Sequence, residues 1–175
     1  FGSNAIIAQL LKTEIFNSKN IDFNLNIIAE SIHNNISFKN INLKSKIQEG
    51  LIDTDKTKFE WRNFANFELI ESLIFVKNGE LVLDGKLKIS INDYNEIYKF
   101  LLTPKNYRNK ISQIDLNFTY NFDKKVAELK DIKIDNKINQ NVNRILNNVI
   151  LKQDDLQNKI YFKNLLNAAI KSYAG

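Results

Sequence analysis

The stretch from Asn78 to Leu102 decides the fold of this chain: Asn-Gly-Glu-Leu-Val-Leu-Asp-Gly-Lys-Leu-Lys-Ile-Ser-Ile-Asn-Asp-Tyr-Asn-Glu-Ile-Tyr-Lys-Phe-Leu-Leu. It opens on an Asn-Gly turn signal at residues 78–79 and then alternates strictly between apolar and polar residues. The apolar positions are Leu81, Leu83, Leu87, Ile89 and Ile91. This alternation predicts a strand with one apolar face and one face in water.

The sequence period then changes to that of a helix. Asp93 and Glu96 have the spacing of a capping box, in which each side chain accepts a hydrogen bond from a free amide at a helix start. Apolar residues follow at helical spacing and end before a proline that we expect to stop the helix: Ile97, Leu101, Leu102 and Pro104. The stretch therefore predicts a long amphipathic strand that leads into a short helix.

Length and composition are those of a folded chain. The 175 residues are 43% hydrophobic and 26% charged, which suffices for a core and argues against disorder. The chain begins with Phe1 and contains no methionine. We therefore expect residues 1–175 to form a single domain cut from a longer protein.

Several classes of site and partner are disfavoured by composition. The chain has no cysteine, which excludes disulfides and thiolate metal sites. No apolar run approaches the roughly 20 residues of a membrane-spanning helix. The net charge of +5 comes mostly from lysines that alternate with apolar positions. Because base and phosphate recognition relies on arginine, nucleic acid is not an expected partner.

Other segments show the same strand pattern, sometimes with a change of phase. Ile114, Leu116, Phe118, Tyr120 and Phe122 alternate most regularly, and the hairpin turn at residues 123–125 follows them. The N-terminal apolar residues suit a short helix or a strand: Ile6, Ile7, Leu10 and Leu11.

Two hexamers share a change of phase. They are Phe38-Lys39-Asn40-Ile41-Asn42-Leu43 and Leu129-Lys130-Asp131-Ile132-Lys133-Ile134. One extra residue near Lys39-Asn40 is the simplest explanation of the first phase change, and this predicts a β-bulge. The similarity of the hexamers indicates either repeated strand units or a coincidence in a chain rich in Ile, Lys and Asn.

The C-terminal part has helical periodicity. The first predicted helix carries Ile138, Val142, Ile145, Leu146, Val149 and Ile150 on one face. Asp154-Asp155 is predicted to cap a second helix, whose face includes Phe162, Leu165, Leu166, Ala169, Ile170 and Tyr173. The predicted fold is α+β: a curved antiparallel meander of seven or eight strands, a short helix after the central strand, and two C-terminal helices packed on the sheet.

No combination of residues indicates catalysis. His33 is the only histidine and lies in a polar turn, so we interpret it as a solvated residue. Asp53 and Asp55 lack the spacing of a calcium loop, and Gly79 and Gly85 lack that of a phosphate loop. We predict no catalytic residue, no metal and no cofactor.

A binding function has more support than an enzymatic one. If the helices cover only part of the sheet, the rest of its apolar face is a long trough; if they cover all of it, the face is core, which periodicity alone favours. Lys105, Arg108 and Lys110 surround Tyr107. This basic cluster either contacts anionic lipid head groups or is a solvated loop.

The chain resembles the C-terminal region of AsmA-like proteins. The similarity lies in Asn78–Gly85, in Ile91-Asn92-Asp93-Tyr94 with the helix after it, and in the run from Ile111 through Asp135 to Tyr173-Ala174-Gly175. It extends loosely over most of the chain and is best from Phe67 onward. Its motifs are patterns of strand and turn residues, without an invariant site.

The resemblance implies a function and a location. AsmA-like proteins belong to the Gram-negative envelope, where an inner-membrane anchor precedes a β-rich periplasmic body. They are related to TamB-type bridge-like lipid carriers, whose curved sheet is apolar on its concave side. We therefore expect a non-catalytic periplasmic segment that binds phospholipid or a membrane surface. Its anchor would lie in a part of the protein absent from this chain.

Two hypotheses follow for the site. In the first, an apolar groove contributes to phospholipid transfer or outer-membrane lipid homeostasis, and its lipid-facing candidates are Leu81, Leu83, Leu87, Ile89, Ile91, Leu116, Phe118 and Tyr120. In the second, the chain is a structural or assembly module that binds an envelope protein by adding a strand at an open sheet edge.

Overall fold

The computed structural model describes residues 9, 12–13, 22–32, 35–147 and 149–175. Two predictions lie outside the described residues. They concern His33 and the N-terminal apolar residues Ile6, Ile7, Leu10 and Leu11.

The described residues form one antiparallel sheet of ten strand segments. These are β1 (Asp22–Ile32), β2 (Asn35–Gln48), β3 (Leu51–Asp53), β4 (Lys58–Trp61), β5 (Ala65–Lys77), β6 (Glu80–Ile91), β7 (Gln113–Asn121), β8 (Val126–Ile134), β9 (Lys137–Ile138) and β10 (Ile150–Lys152). The main order is β1-β2-β3-β5-β6-β7-β8-β10, while β4 also lies between β2 and β5 and β9 pairs with β8.

Within residues 35–147 and 149–175, four α-helices accompany the sheet. They are α1 (Tyr94–Leu101), α2 (Gln140–Leu146), α3 (Gln153–Gln157) and α4 (Lys159–Ala174), and a 3-10 turn covers Lys105–Tyr107. A meander with a short helix after the central strand and helices at the C-terminus confirms the predicted α+β class.

The hairpin turns follow from residues that tolerate left-handed backbone. Asn78 and Gly79 have φ of 53° and 76°, and they join the paired residues Lys77 and Glu80. Two successive positive φ values define a type I′ turn, whose twist matches that of a β-hairpin. Asn-Gly is the preferred sequence for this turn. The predicted turn is confirmed.

The predicted bulge in β2 is confirmed, and two further one-residue bulges lie in β5 and β8. The register shifts by one residue where β2 faces β4, where β5 faces β6, and where β8 faces β7. A residue with left-handed backbone lies at each shift: Asn40 (φ 50°), Glu71 (φ 50°) and Asp131 (φ 52°). Each bulge changes the phase of its strand, so apolar residues on both sides of it can share one face.

The two similar hexamers therefore share a structure. Asn40 and Asp131 are each the third residue of their hexamer, and each is the left-handed residue of a bulge. The repeated pattern of apolar, Lys, Asn or Asp, and Ile is thus a bulge signature.

The bulge in β5 is held by Asp55 and Gly85. The carboxylate of Asp55 accepts a hydrogen bond from the amide of Glu71 at 2.6 Å. On the other side, a Cβ atom on Gly85 would lie 2.5 Å from Cβ and 2.8 Å from Cα of Ser72. Only glycine therefore fits opposite this bulge.

The start of α1 agrees with half of the predicted capping box. Asp93 accepts a hydrogen bond from the amide of Glu96 at 3.1 Å. The side chain of Glu96 pairs with Lys99 instead of returning to the cap. The helix ends before Pro104, because Leu102 adopts left-handed backbone with φ of 60°. Leu102 is 79% exposed and does not belong to the buried face as predicted.

The C-terminal helices differ from the prediction in their limits. The first is shorter than predicted, because Ile138 and Ile150 lie in the short strands β9 and β10. Asp154 and Asp155 lie inside α3 and do not cap the long helix α4. Its cap is Asn158, which accepts hydrogen bonds from the amides of residues 160 and 161 at 3.1 Å. Backbone pairing with β8 competes with helix formation at both ends of α2.

The main core lies between the helices and one end of the sheet. Its buried members come from α1, α2, α4, β7, β8 and the loop before β7: Tyr98, Ile111, Leu116, Ile132, Ile134, Val142, Leu146 and Ala169. The buried side chain of Asn143 bridges α2 to β8, since it donates to the carbonyl of Ile132 at 2.7 Å and accepts from its amide at 2.8 Å. Ile132 follows the bulge residue Asp131, so Asn143 satisfies backbone groups that the bulge exposes.

We expect Gly85→Ala to lower the free energy of unfolding by about 1–3 kcal/mol, because the added methyl group has no space beside Ser72. Urea titration would measure this. Lys86→Ala, at the next and exposed position of β6, is the control and should change stability by less than about 0.5 kcal/mol. Without the clash, Gly→Ala tends to stabilise by about 0.4–1 kcal/mol. Unchanged or increased stability would therefore contradict the close approach.

Candidate functional site

The candidate site is the apolar face of the sheet, which carries the alternating residues of β6 and β7. Leu83 lies opposite Tyr120, and Leu87 lies opposite Leu116. Directly opposite residues of antiparallel strands point to the same side. The structure thus brings the eight candidate side chains to one face: Leu81, Leu83, Leu87, Ile89, Ile91, Leu116, Phe118 and Tyr120.

Five of these eight residues lie under the helices. Leu116 is 8% exposed and belongs to the main core, and four others pack against that core: Leu87, Ile89, Ile91 and Phe118. We call this region the helix-covered half of the apolar face. In this conformation α1, α2 and α4 occupy the space that a lipid would need there.

Leu81 belongs to a second, smaller core. It is 6% exposed and clusters with Ile47, Ile52 and the half-buried Ile74. This cluster closes the end of the sheet near the Asn78-Gly79 turn. Asp123 supports it, because its carboxylate accepts a hydrogen bond from the amide of Leu81 at 2.7 Å. An ion pair with Lys12 and this amide bond lower the pKa of Asp123.

The remaining part of the apolar face is the open half. Cross-strand pairing places Ile27 opposite Leu43, Phe59 opposite Phe67, and Leu69 opposite Leu87. The open half comprises Leu25, Ile27, Phe38, Ile41, Leu43, Phe59, Phe67, Leu69, Leu83 and Tyr120. It therefore includes two of the predicted candidates and eight residues from β1, β2, β4 and β5.

The open half is less covered than the other. Leu25 and Ile27 are 44% and 46% exposed. The main contacts of the helices α1–α4 are with β8, β10 and one another. Of the two alternatives left open by the sequence, partial cover of the sheet is the one observed for the described residues. Full cover of the apolar face, which periodicity favoured, is therefore not what these residues show: one half of the face is core and the other is a surface.

Aromatic side chains line the open half next to the helices. The rings of Phe59 and Phe67 stack at 4.8 Å between centroids, and Phe38 meets Phe59 edge-on at 5.7 Å. Trp61, the cross-strand partner of Phe38, contacts Phe100 of α1 at 5.0 Å. The aromatic side chains thus extend from the open half to the edge of the helix-covered half.

The basic loop has a partly structural role. Arg108 donates a hydrogen bond from Nε to the carbonyl of Thr103 at 2.8 Å, close to the end of α1. Lys171 of α4 lies 5.7 Å from the ring centroid of Tyr107. Lys105 and Lys110 are exposed. The loop therefore packs beside α4, and its contact with lipid head groups stays a prediction.

The carboxylates of Asp53 and Asp55 act on the backbone. Asp53 accepts a hydrogen bond from the amide of Asp55 at 2.7 Å, and Asp55 holds the β5 bulge. In the described part of the chain, no group of three or more His, Cys, Asp or Glu side chains is arranged to hold a metal. The helices found there also lack the length and apolar character needed to cross a membrane.

Sequence reasoning missed the residues at the junction of the two halves. Trp61, Phe64 and Phe100 meet there, with ring centroids 5.3 Å apart for Trp61 and Phe64. The signal in the sequence was the aromatic spacing from Phe59 through Trp61 to Phe64. Phe100 carried no such signal, because its approach to Trp61 requires α1 to fold back over the sheet.

We expect Tyr98 to report on the helix-covered half through the pH dependence of stability. Its hydroxyl donates to the carbonyl of Asn109 at 2.5 Å. Burial raises its pKa to about 12. Since the folded state resists ionisation, this contribution is complete below about pH 10, the usual tyrosine value, and is lost as pH rises towards 12.

The variant Tyr98→Phe should lose that part of the pH dependence. At pH 8 it should be less stable by about 1 kcal/mol, because the hydrogen bond is lost. Urea titrations at a series of pH values up to 12 would measure both effects. If the wild type and the variant lose stability equally between pH 10 and pH 12, Tyr98 is not the group responsible.

Comparisons of this chain with known protein families, with curated proteins and with solved structures found no match.

Proposed function

We propose that this chain is a non-catalytic lipid-binding segment whose open half holds the acyl chains of a phospholipid. The observation that supports this best is the continuation of the apolar face beyond the helices, with Leu25 and Ile27 nearly half exposed. Contiguous apolar surface of this kind is typical of binding sites. The resemblance to AsmA-like proteins points to the same function.

The mechanism is passive partitioning. Moving apolar surface out of water contributes about 25 cal/mol per Å², or about 0.8 kcal/mol for each buried CH₂ group. The backbone polar groups of the sheet are already paired between strands. Ser72, a polar residue within the apolar face, is fully buried, and its hydroxyl accepts a hydrogen bond from Thr54. An acyl chain would therefore meet mostly hydrocarbon side chains, with the hydroxyl groups of Ser45 and Tyr120 as the polar exceptions beside Leu25 and Leu83. No cofactor is required.

The open half has the dimensions for an acyl chain. The part of β2 between Phe38 and Leu43 spans about 16 Å at about 3.3 Å per residue. The hydrocarbon core of a bilayer is about 30 Å thick and contains two layers of chains, so one chain needs about 15 Å. A chain lying along β2 would thus fit within the open half.

The resemblance to AsmA-like proteins also implies where in the cell the chain acts and to which process it contributes. A periplasmic segment of an AsmA-like protein, attached to the inner membrane through a part absent from this chain, would contribute to phospholipid transfer or outer-membrane lipid homeostasis. In that setting the open half forms one section of a longer lipid path.

A second candidate function is strand addition at β1. Among the described strands, β1 pairs with β2 alone. Its residues include the charges Asp22 and Glu30 but neither lysine nor proline, the residues that protect many edge strands. Its pairing with β2 keeps one register from Asp22 to Ser31 and shifts only at Ser31/Ile32. Ile28, on the polar side, is 75% exposed. An extended segment of an envelope protein would pair with this edge.

Two variants of neighbouring residues on β1 test the lipid proposal. We expect Ile27→Asp, on the open half, to abolish lipid retention, because a carboxylate would enter the apolar contact. Ile28→Asp, on the opposite face of the same strand, should retain lipid. The measurement is native mass spectrometry of each purified chain after incubation with vesicles of phosphatidylethanolamine and phosphatidylglycerol, followed by lipid extraction.

The outcomes separate the two candidate functions. Discrete added masses on the wild type and on Ile28→Asp, but not on Ile27→Asp, would support lipid binding at the open half. A bare mass for the folded wild type would contradict it. Loss of lipid from both variants, with folding intact by circular dichroism, would place the lipid elsewhere. Strand addition predicts a bare mass, together with protection of β1 amides from hydrogen exchange when the partner binds.

A further inference from the structure

A group of aromatic and cationic side chains lies at the junction of the open and helix-covered halves. We call it the junction cluster; it comprises Trp61, Arg62, Phe64, Phe100 and Lys163. Cζ of Arg62 lies 5.5 Å from the ring centroid of Phe64 and 5.4 Å from that of Phe100. Nζ of Lys163 lies 4.0 Å from the centroid of Phe100.

Three elements build this cluster. Arg62 lies in the turn between β4 and β5 with left-handed backbone, φ 51°, and its amide donates to the carbonyl of Ser37 at 2.7 Å. Phe100 comes from α1, and Lys163 from α4. The helices are fixed to each other, because Asn167 of α4 hydrogen-bonds the Thr103 hydroxyl and the Leu101 carbonyl at 2.5 Å each. The fold therefore fixes the backbone positions from which the two cationic side chains reach Phe100.

Neither cation is neutralised within the described residues. The ion pairs found there involve other side chains, and the side chains of Arg62 and Lys163 contact aromatic rings. Lys39, near the same turn, is already partnered by Glu60 and Asn63. Two positive charges against one ring repel each other, and an anion between or beside them would relieve that repulsion.

We infer that the junction cluster binds the anionic head group of a single phospholipid whose acyl chains lie on the open half. This inference rests on the proposed function. The two positive charges favour an anion, and the neighbouring apolar surface favours an anion that carries a hydrocarbon chain. Trp61 lies opposite Phe38, which contacts Phe59, so apolar surface begins directly beside the cations.

The composition of the cluster also fits a head group. Tryptophan combined with arginine or lysine is the usual arrangement where protein meets the boundary between hydrocarbon and polar head groups. Arginine donates two parallel hydrogen bonds to a phosphate, and lysine adds a point charge. The cluster therefore selects anionic over zwitterionic head groups, whereas the open half accepts the chains of both.

Competition between two lipids with identical acyl chains tests this selectivity. Wild-type chain is incubated with equal amounts of phosphatidylglycerol and phosphatidylcholine, and native mass spectrometry measures the ratio of the two bound lipids. We expect a preference for phosphatidylglycerol of about tenfold, in line with a charge-assisted hydrogen bond. Added salt should reduce the preference.

The decisive variant is Arg62→Gln combined with Lys163→Gln. It should bind both lipids equally and still carry lipid, because the open half is unchanged. The matched control is Lys105→Gln combined with Lys110→Gln, which removes the same charge from the basic loop and should keep the preference.

Trp61 is the only tryptophan of the chain. Its emission should therefore respond differently to phosphatidylglycerol and to phosphatidylcholine in the wild type, and this difference should disappear in the Arg62/Lys163 variant.

Failure of this inference differs from failure of the proposed function. If the Arg62/Lys163 variant keeps the preference, or the Lys105/Lys110 control loses it, the head-group site is not at the junction cluster. If no variant and no wild-type chain carries lipid, the proposed function fails as well. If the wild type sediments with phosphatidylglycerol vesicles but carries no lipid into solution, the cluster contacts a membrane surface, which overturns the single-lipid site.

Discussion

The sheet depends on keeping its apolar side chains on one face while three of its long strands change phase. Each change is made by a bulge with a left-handed residue, at Asn40, Glu71 and Asp131. In an antiparallel sheet a shift of one residue turns every following side chain to the other face. Without the bulges, the apolar-face residues on one side of each bulge in β2, β5 and β8 would turn to the opposite face. The apolar face, and every function proposed for it, therefore rests on these three positions.

The helices divide that face into two regions with different chemistry. Where α1, α2 and α4 pack, the sheet residues form a core that excludes a ligand. Towards β1 and β2 the same apolar pattern continues with Leu25 and Ile27 nearly half exposed. The aromatic residues of the junction cluster and its two cations, which have no ion pair with another described residue, lie where these regions meet. A long apolar surface with charge at one end matches the shape of a phospholipid, which connects the proposed function to the junction cluster.

The sequence predicted which face of the sheet carries the candidate site, but not which part of that face the helices cover. The alternation of apolar and polar residues in β6 placed both Leu87 and Leu83 on the apolar face. Leu87 nevertheless lies under the helices, and Leu83 does not. A covered strand and an open strand have the same period, because both need one apolar side. The basic loop was visible as a cluster in sequence, whereas Arg62 and Lys163 are far apart in the chain and meet at Phe100 only through the fold.

The sequence by itself determined the local features of this protein. The Asn78-Gly79 turn, the cap at Asp93 and the bulge in β2 follow from backbone sterics and from hydrogen bonds between near neighbours in the chain. Tertiary structure decided what depends on distant contacts. Ile138 and Ile150 lie in strands because β8 offers pairing partners, and the open half exists because the helices pack at one end of the sheet. Periodicity records which side of a strand is apolar, but the element that covers that side is set by contacts between distant residues.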